Sequence, residues 1–240
     1  MERQRFLDNI AARLGRPRAL SAPERSVTGP PESYAAQPLG ERANPIDRAA
    51  RFKEELELVG GKVTTASSLA DVHAMLSAEI AFWKAKRLVS WAASEFAGWE
   101  LGKFLLESSC RCFRPSAVPE EREGFKRAAL EADVGITTVD FAVVNTGTLA
   151  LTSGLGRPRS VSLLPTLHLA LVRETQLVDR LAHAFTGFRP GASALSSAIH
   201  FITGPSRTSD IENDLSIGVH GPAAVSVILW RDGSTGQARP

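Results

Sequence analysis

The sequence contains only two cysteines, Cys110 and Cys112. An iron–sulfur cluster usually takes four thiolates, or two thiolates and two histidines, so a four-cysteine site is excluded. Cysteines at positions i and i+2 of a strand share one face and are poorly placed for a disulfide. The pattern therefore favours two small buried side chains over a metal-binding or redox pair.

Long hydrophobic runs are also missing. Residues 151–172 form the most apolar region, but Arg157, Arg159 and His168 interrupt it. No clean run of 18 apolar residues exists, so we expect no membrane-spanning helix. Charged residues also break the N-terminal segment where a secretory signal would need its apolar core. These patterns predict a cytoplasmic protein.

The sequence has little excess charge outside its first residues. Residues 1–45 hold seven arginines and five acidic residues, and the remaining 195 residues hold 21 basic and 21 acidic side chains. The net charge of +2 therefore belongs to the leading segment. Nucleic-acid binding needs a basic face that neutralises phosphates. The balanced charge of residues 46–240 argues against that class of function.

The chain divides by composition into two regions. Residues 2–14 place Phe6, Ile10 and Leu14 on one helical stripe, which predicts a short amphipathic helix. Residues 16–44 contain five prolines with scattered serine and glycine, which is typical of an extended or disordered linker. We therefore predict an N-terminal helix and linker over residues 1–44 and a single α/β domain over residues 45–240.

Strands and helices alternate in the first half of this domain, which predicts βαβ units and a parallel sheet. Asn44 and Pro45 resemble a helix start, and Ser68 with Asp71 forms a capping-box pattern. Beyond Asp133, strand-like runs follow one another closely, so we expect an added strand-rich part. The predicted helices cover residues 45–59, 69–83, 95–107, 119–132 and 175–185. The predicted strands cover residues 62–66, 87–92, 110–113, 141–145, 148–153, 161–164, 167–172, 198–203 and 223–230.

Three polar segments lie among these elements. In the first, Asn145, Thr146, Gly147 and Thr148 lie between two apolar runs. A glycine there permits positive φ, and the hydroxyls and amides of such a turn can hold an anion. A simple hairpin turn explains the same pattern, and spacing alone slightly favours that explanation.

The second segment covers residues 157–168. Arg157 and Arg159 are two residues apart in an extended stretch and would project to one side, where they could grip a carboxylate. A solvated loop edge accounts for them equally well. His168 lies in an apolar strand, where a lone histidine is more often a hydrogen-bonded core residue than a catalyst.

The third segment follows a predicted strand, and its candidate anion-binding residues are Gly204, Ser206, Arg207, Thr208 and Asp210. Ser209 and Glu212 form a second capping-box pattern, and a glycine-containing loop at a helix N-terminus presents free N–H groups to an anion. Ordinary loop capping is an equal alternative.

A further histidine, His220, lies between Gly218 and Gly221 just before the last predicted strand. Glycines there would let a ligand or another backbone approach closely. Several well-known motifs are missing from the chain: a Walker A loop, a GxGxxG fingerprint, a GxSxG elbow, and an HExxH or other paired metal spacing. No metal site is predicted from spacing.

Five of these segments occur in a specific order: VGIT (134–137), NTGT (145–148), RPRSVSLLPTLH (157–168), TGPSRTSDIE (203–212) and GVHGP (218–222). Together with the arginine-rich N-terminal helix, they resemble the LUD-domain lactate-utilisation family of LutC type across essentially the whole chain. The resemblance implies a fold akin to the NagB, ribose-phosphate isomerase and CoA-transferase superfamily. Such a fold agrees with the alternation of strands and helices.

The resemblance also implies work with iron–sulfur partner proteins in oxidising L-lactate to pyruvate. The clusters are then expected in the partners, with no cofactor in this chain. The three polar segments would bind a small anion such as lactate, and His168 or His220 would accept the hydroxyl proton. Whether this chain is itself catalytic stays open.

Two other functions remain as alternatives. One is a stand-alone enzyme of the isomerase or CoA-transferase type. Many relatives have an acidic residue where this chain has Asn145, and an amide cannot act as a carboxylate nucleophile. The other is a non-catalytic sensor of small anions.

Overall fold

The computed structural model describes residues 47–107, 110–116, 118–188, 196–209, 215–218 and 220–231, together with residues 8, 9, 11–13 and 15. The chain divides into two compact units, Met1–Gln37 and Pro38–Pro240. In the first unit, residues 8, 9 and 11–13 are helical. The stripe residues Phe6, Ile10 and Leu14 and the linker predicted over residues 16–44 lie outside the described residues.

The second unit contains six α-helices and twelve strands within its described ranges. The helices are α1 (Arg48–Leu58), α2 (Leu69–Phe82), α3 (Leu101–Glu107), α4 (Arg122–Leu130), α5 (Ser160–Leu163) and α6 (Leu181–Gly187). The first six strands are β1 (Lys62–Ala66), β2 (Arg87–Ser90), β3 (Arg111–Phe113), β4 (Val134–Thr138), β5 (Phe141–Val143) and β6 (Thr148–Thr152). The others are β7 (Leu167–Arg173), β8 (Leu177–Val178), β9 (Ile199–Ile202), β10 (Arg207–Ser209), β11 (Leu215–Ile217) and β12 (Ala224–Trp230).

The main sheet has six strands in the order β1-β12-β7-β4-β2-β3, and every neighbouring pair is parallel. The strands β4, β7 and β12 are buried along nearly their whole length, as expected for a parallel sheet covered on both faces by helices. Their leucine, valine and isoleucine side chains form the middle of the core. The predicted α/β class with a mostly parallel sheet is confirmed.

A second, smaller sheet has the order β8-β5-β6-β9. The strand β6 pairs antiparallel with β5 on one side and with β9 on the other. Two further short strands, β10 and β11, form an antiparallel pair. The small sheet is the strand-rich part that the sequence predicts after Asp133.

The chain order places a point of diverging connections between β2 and β4 of the main sheet. After β2 the chain moves outward to the edge strand β3, whereas after β4 it moves the other way to β7. In open parallel sheets, ligands bind outside the carboxyl ends of the strands where the connections diverge in this way. The carboxyl ends of β2 and β4 are therefore the first place to look for a site.

Helix starts agree with the sequence in one case and differ in another. Ser68 and Asp71 form the expected capping box of α2. For α1, however, the N-cap is Asp47, whose carboxylate accepts hydrogen bonds from the backbone N–H groups of Ala49 and Ala50. Residues 44 and 45, which the sequence suggested as the start, lie outside the described residues.

Four predictions of local structure were wrong. Residues 161–164 were predicted as a strand but belong largely to the helix α5. The helix predicted over residues 95–107 is a 3-10 turn, Ala93–Phe96, followed by α3; Gly98 lies between them with a φ of 75°. The helix predicted over residues 175–185 includes the strand β8 before α6 begins. Ser209 was expected at a helix N-terminus but lies in β10, paired with Leu215.

Candidate functional site

An arginine is held at the carboxyl ends of β2 and β4 by two carboxylates and an indole ring. Arg157 Nη1 donates a hydrogen bond to Asp140 Oδ1 at 2.9 Å, and its Nε lies 3.3 Å from Glu95 Oε2. Its guanidinium carbon stacks 4.4 Å from the centre of the Trp91 ring. Trp91 and Glu95 follow β2 and Asp140 follows β4, so the sheet topology brings these residues together. We call Trp91, Glu95, Asp140, Thr152 and Arg157 the arginine clamp.

The clamp is closed by further hydrogen bonds. Arg157 Nη1 also donates to Thr152 Oγ1 at 2.8 Å. Both the backbone N–H and the hydroxyl of Thr152 donate to Asp140 Oδ2. The guanidinium predicted to grip a ligand carboxylate is therefore already paired with protein carboxylates. These contacts of Arg157 fix the turn that leads into α5.

The turn at residues 154–158 is also tied to the end of β2. The backbone N–H of Ala92 donates to the Gly156 carbonyl at 2.9 Å, and Trp91 Nε1 donates to the Pro158 carbonyl at 3.3 Å. A Cβ on Gly156 would lie 2.9 Å from the Ala92 side chain. The turn is therefore fixed against the carboxyl end of β2, and it positions Arg159, which follows it.

His168 is completely buried in β7. One ring nitrogen, Nε2, hydrogen bonds with Thr137 Oγ1 at 2.8 Å. The other, Nδ1, is buried and has no hydrogen-bond partner in the described part of the chain. Burial first, and then the nearby His200, lowers the pKa of His168 to about 3. The imidazole is therefore neutral at physiological pH, with one nitrogen left for another partner.

His200, in β9, is the residue that sequence reasoning missed. Both of its ring nitrogens are buried, and neither has a hydrogen-bond partner among the residues described. Burial lowers the pKa of His200; among nearby charges, Arg159 and Arg157 lower it further, whereas Asp140 raises it. The sequence signal was weak, because His200 is one of five histidines and lies outside the polar segments.

Arg159 lies near His200. It is exposed, it is the largest charge influence on His200, and it has no carboxylate partner within the ranges that the structure covers. It differs in this from Arg157, which is paired twice. We call Thr137, Arg159, His168 and His200 the histidine cluster.

The first polar segment packs against the end of α1 instead. Gly147 has a φ of 59°, and a Cβ there would lie 2.3 Å from the backbone nitrogen of Leu56. Thr148 Oγ1 lies 2.8 Å from both Thr146 Oγ1 and Thr203 Oγ1, so the three hydroxyls form a chain. Asn145 is the exception, because its Oδ1 is buried with no partner in the described chain.

The third segment meets the same helix end. Gly204 has a φ of 82°, and a Cβ there would lie 2.7 Å from the Val59 carbonyl oxygen. Arg207 Nη2 donates to that same carbonyl at 2.7 Å. We call Thr146, Thr148, Thr203, Gly204 and Arg207, which surround residues 56–59 at the C-terminal end of α1, the helix-end cluster.

The remaining candidate residues lie near this loop or outside the described chain. The backbone N–H of Ser206 donates to the Pro222 carbonyl. Thr208 lies in β10, opposite Ser216. His220 is exposed, and Asp210 lies outside the described residues.

The candidate residues therefore form two groups, not one. Thr148 and Thr152 are the two ends of β6. Four residues of strand span about 13 Å. Thr148 belongs to the helix-end cluster and Thr152 to the arginine clamp, which adjoins the histidine cluster. The three polar segments do not converge on one point: residues 145–148 and 203–207 meet each other, whereas residues 157–168 meet His200.

The cysteines do not form a disulfide. Cys110 Sγ donates to the Ala85 carbonyl, and Cys112 Sγ lies 3.8 Å from Ser90 Oγ. Both thiols are half-buried, whereas the sequence favoured two small buried side chains. Within the described ranges, no three histidine, cysteine or acidic side chains are grouped so that they could hold a metal ion.

No helix in the described part of the chain is both long enough and apolar enough to cross a membrane.

The fold defines an α/β protein with a parallel six-stranded sheet, in which the arginine clamp lies at the carboxyl ends of β2 and β4. A solved structure of the same fold, a DUF162 family protein from Deinococcus radiodurans, aligns with a TM-score of 0.51 and 21% identity. The alignment covers 78% of this chain and 99% of the Deinococcus radiodurans protein.

Residues 49–230 match the model of the LUD domain, so the chain belongs to the LUD-domain family. It is 33% identical to lactate utilization protein C of Shouchella clausii, over 96% of this chain and 98% of that relative. The lactate utilization protein C of Halalkalibacterium halodurans is 29% identical, over 96% of this chain and 98% of that relative. The resemblance expected from the five segments is confirmed.

Proposed function

We propose that this protein takes part in lactate utilisation, as one subunit of a system that oxidises L-lactate to pyruvate. The supporting observation is the full-length similarity to relatives named lactate utilization protein C, which align over 96% of this chain. A similarity of that extent includes both candidate clusters and the whole main sheet.

In this proposal the chain binds a small anion, and the redox centres belong to iron–sulfur partner proteins. The chain has two cysteines, whereas a cluster usually needs four protein ligands. Cys110 and Cys112 also point to separate partners, Ala85 and Ser90. Electrons removed from lactate would therefore pass to centres held by the partners.

The histidine cluster supports the anion-binding part of the proposal better than the helix-end cluster. Arg159 supplies a positive charge without a protein carboxylate in the described chain, and His168 Nδ1 is unpaired there. In the helix-end cluster, by contrast, Arg207 is bound to a backbone carbonyl. His220 is exposed, so His168 is the better candidate of the two for contact with a buried ligand.

A deletion strain tests the proposal. Loss of this gene should abolish or strongly slow growth on L-lactate as sole carbon source and leave growth on pyruvate unchanged, because pyruvate enters after the oxidation step. A plasmid copy should restore growth. Unchanged growth of the deletion strain on L-lactate would contradict the proposal.

A second experiment tests the partners. The tagged full-length protein, captured from lactate-grown cells, should bring down proteins that contain iron and acid-labile sulfide. The same capture from a strain expressing an unrelated tagged protein is the control. Recovery of the tagged chain alone, under conditions that preserve oxygen-sensitive clusters, would count against the subunit model.

The alternative of a stand-alone CoA transferase gains no support from the structure. Asn145, at the position where the nucleophile would be, is an amide on a 3-10 turn packed near α1. Turnover of acyl-CoA by the purified chain alone would instead favour the stand-alone enzyme over the lactate-utilisation subunit.

A further inference from the structure

We infer that His200, together with His168 and Arg159, forms the contact surface for a small 2-hydroxycarboxylate. This inference rests on the proposed function and names the residues and the ligand chemistry of its binding site. Arg159 takes the carboxylate, and the two imidazoles take the hydroxyl group at the neighbouring carbon.

The unpaired nitrogens are the first observation. A buried polar atom without a partner costs about 1–3 kcal/mol, so native proteins rarely retain one without a reason. His168 Nδ1 and both ring nitrogens of His200 are three such atoms, with no partner in the described residues. His200 lies opposite Leu151 of β6, and the neighbouring Thr152 accepts a hydrogen bond from Arg157 in the turn before α5. Gly135, opposite His168 in the main sheet, packs against Val161 of α5. His200 also lowers the pKa of His168, which agrees with this placement. A ligand between them would satisfy several buried atoms at once.

The chemistry of the imidazoles narrows the ligand class. A neutral imidazole has one N–H donor and one nitrogen acceptor. His200 offers both to a ligand, because neither nitrogen is used within the described chain. The two nitrogens of one ring point in different directions, so a hydroxyl group, which donates one hydrogen bond and accepts others, would use one nitrogen of His200 and Nδ1 of His168. A 2-hydroxy acid therefore matches this pair of imidazoles more completely than a simple carboxylate does.

The distribution of charge fixes the orientation. Arg157 is already balanced by Asp140 and Glu95, which leaves Arg159 as the cation of this cluster without a protein partner in the ranges described. Charge-assisted hydrogen bonds from arginine to carboxylate are about twice as strong as neutral ones. The carboxylate end of the ligand should therefore face Arg159 and the hydroxyl end should face the buried histidines.

A metal ion fits this cluster less well. The carboxylate that acts on His200 is Asp140, and its two oxygens accept hydrogen bonds from Thr152 and Arg157. Two imidazoles and a neighbouring guanidinium make a poor cation site but a suitable anion site.

Calorimetric titration of the purified full-length protein tests the ligand class. L-lactate should bind at neutral pH, and propionate, which lacks the hydroxyl, should bind about tenfold or more weakly, as expected for one lost hydrogen bond in a buried site. The methyl ester of L-lactate, which lacks the charge, should also bind at least tenfold more weakly. Equal binding of lactate and propionate would overturn the hydroxyl contact, and no heat with L-lactate would overturn the site.

Three variants test the residues. R159Q should weaken L-lactate binding about tenfold to hundredfold, with unchanged thermal stability because Arg159 is exposed. H200F keeps a ring but removes both unpaired nitrogens, so it should weaken binding without lowering Tm. H168Q keeps a group able to bond Thr137 but loses Nδ1. The control is R111Q, an exposed arginine on the edge strand β3, which should bind L-lactate like the wild type.

The outcomes separate this inference from the proposed function. If the deletion strain fails on lactate but R159Q and H200F restore growth and bind L-lactate normally, the function stands and this site is wrong. If R159Q and H200F lose binding but the deletion strain grows normally on lactate, the site stands and the function is wrong. If H200F unfolds, R159Q still tests the binding site, because the Arg159 side chain is exposed and is not part of the core.

Discussion

The histidine cluster and the helix-end cluster are both rich in polar residues, yet they differ in how those residues are satisfied. In the helix-end cluster, three threonine hydroxyls bond in a chain and Arg207 donates to the Val59 carbonyl. In the histidine cluster, three imidazole nitrogens are buried and lack partners in the described chain. The first arrangement is complete by itself, whereas the second leaves polar atoms that the proposed ligand would satisfy.

This difference explains how similar sequence patterns lead to different roles. A glycine and threonine segment at a turn is equally suited to an anion and to another part of the protein. Here α1 takes the place that an anion would have taken, because Gly147 and Gly204 let its backbone approach closely. Asn145 is the one residue of the turn that departs from this, since its Oδ1 lacks a partner among the described residues.

The largest expected effect is at Gly135, under the histidine cluster. A Cβ at this position would lie 1.8 Å from the Val161 carbonyl oxygen, a backbone atom of α5. The Gly135→Ala substitution must therefore displace α5 and, with it, Arg159. We expect a loss of roughly 3 kcal/mol or more in the free energy of unfolding, measured by urea denaturation, together with loss of L-lactate binding.

Gly102→Ala is the matched control for that substitution. Gly102 lies in α3, and a Cβ there would meet nothing within 4 Å. Alanine is favoured over glycine in a helix by about 0.5–1 kcal/mol, so this variant should be as stable as the wild type or slightly more stable. If the two variants had equal stability, the close packing of α5 against β4 would be contradicted.

The arginine clamp provides the next largest effect. Arg157→Gln would leave Asp140 and Glu95, both largely shielded from solvent, without their cation. Removing one partner of a fully buried pair costs about 3–5 kcal/mol, and partial exposure lowers this to roughly 2 kcal/mol. Urea denaturation measures the change. Arg51→Gln, which breaks exposed ion pairs on α1, should cost only about 0.5 kcal/mol.

A loss in Arg157→Gln no greater than that of Arg51→Gln would show that the clamp contributes little to holding the turn at residues 154–158. The position of Arg159 would then need another explanation.

The pH dependence of stability tests the buried state of His168. Its pKa in the folded chain is about 3, below the ordinary histidine value of 6.5, so between these two pH values the unfolded chain binds a proton that the folded chain does not. The contribution of this group is therefore complete above pH 6.5 and is lost as the pH falls from 6.5 towards 3. Linkage gives a loss of about 2 kcal/mol between pH 7 and pH 5, measured by denaturation at each pH.

His168→Gln removes the titrating group, so its stability should fall less than that of the wild type over the same pH interval. Bound L-lactate should also protect the wild type, because a ligand that binds only the folded state adds to its stability. A variant with the same pH slope as the wild type would show that His168 is not the source of the dependence.

The main sheet was largely predictable from sequence, because apolar runs and capping patterns are local signals. The strand Lys62–Ala66 and the capping box at Ser68 appear where the sequence placed them. The central strand β4 was not predicted as a strand, since Gly135 and two threonines weaken its apolar pattern. That glycine is required by α5, a contact from a distant part of the chain.

The site was less predictable, because its decisive property is a long-range one. Sequence identified Arg157, Arg159 and His168, but it could not show that Glu95 and Asp140 pair with Arg157. Nor could it single out His200, whose neighbours in sequence are ordinary strand residues. Whether a polar group is satisfied depends on which strands the fold makes adjacent.

The smallest expected effect belongs to Arg207, and it tests the other side of the comparison. Its side chain is exposed and donates one hydrogen bond to the Val59 carbonyl at the end of α1. A hydrogen bond of this kind contributes about 0.5–1.5 kcal/mol, so Arg207→Gln should lower the free energy of unfolding by that amount in urea denaturation. If the variant were instead as stable as the wild type but bound L-lactate at least tenfold more weakly, Arg207 would face the ligand and not the helix. The helix-end cluster would then belong to the site, and the distinction between satisfied and unsatisfied polar groups would fail as a guide to function in this fold.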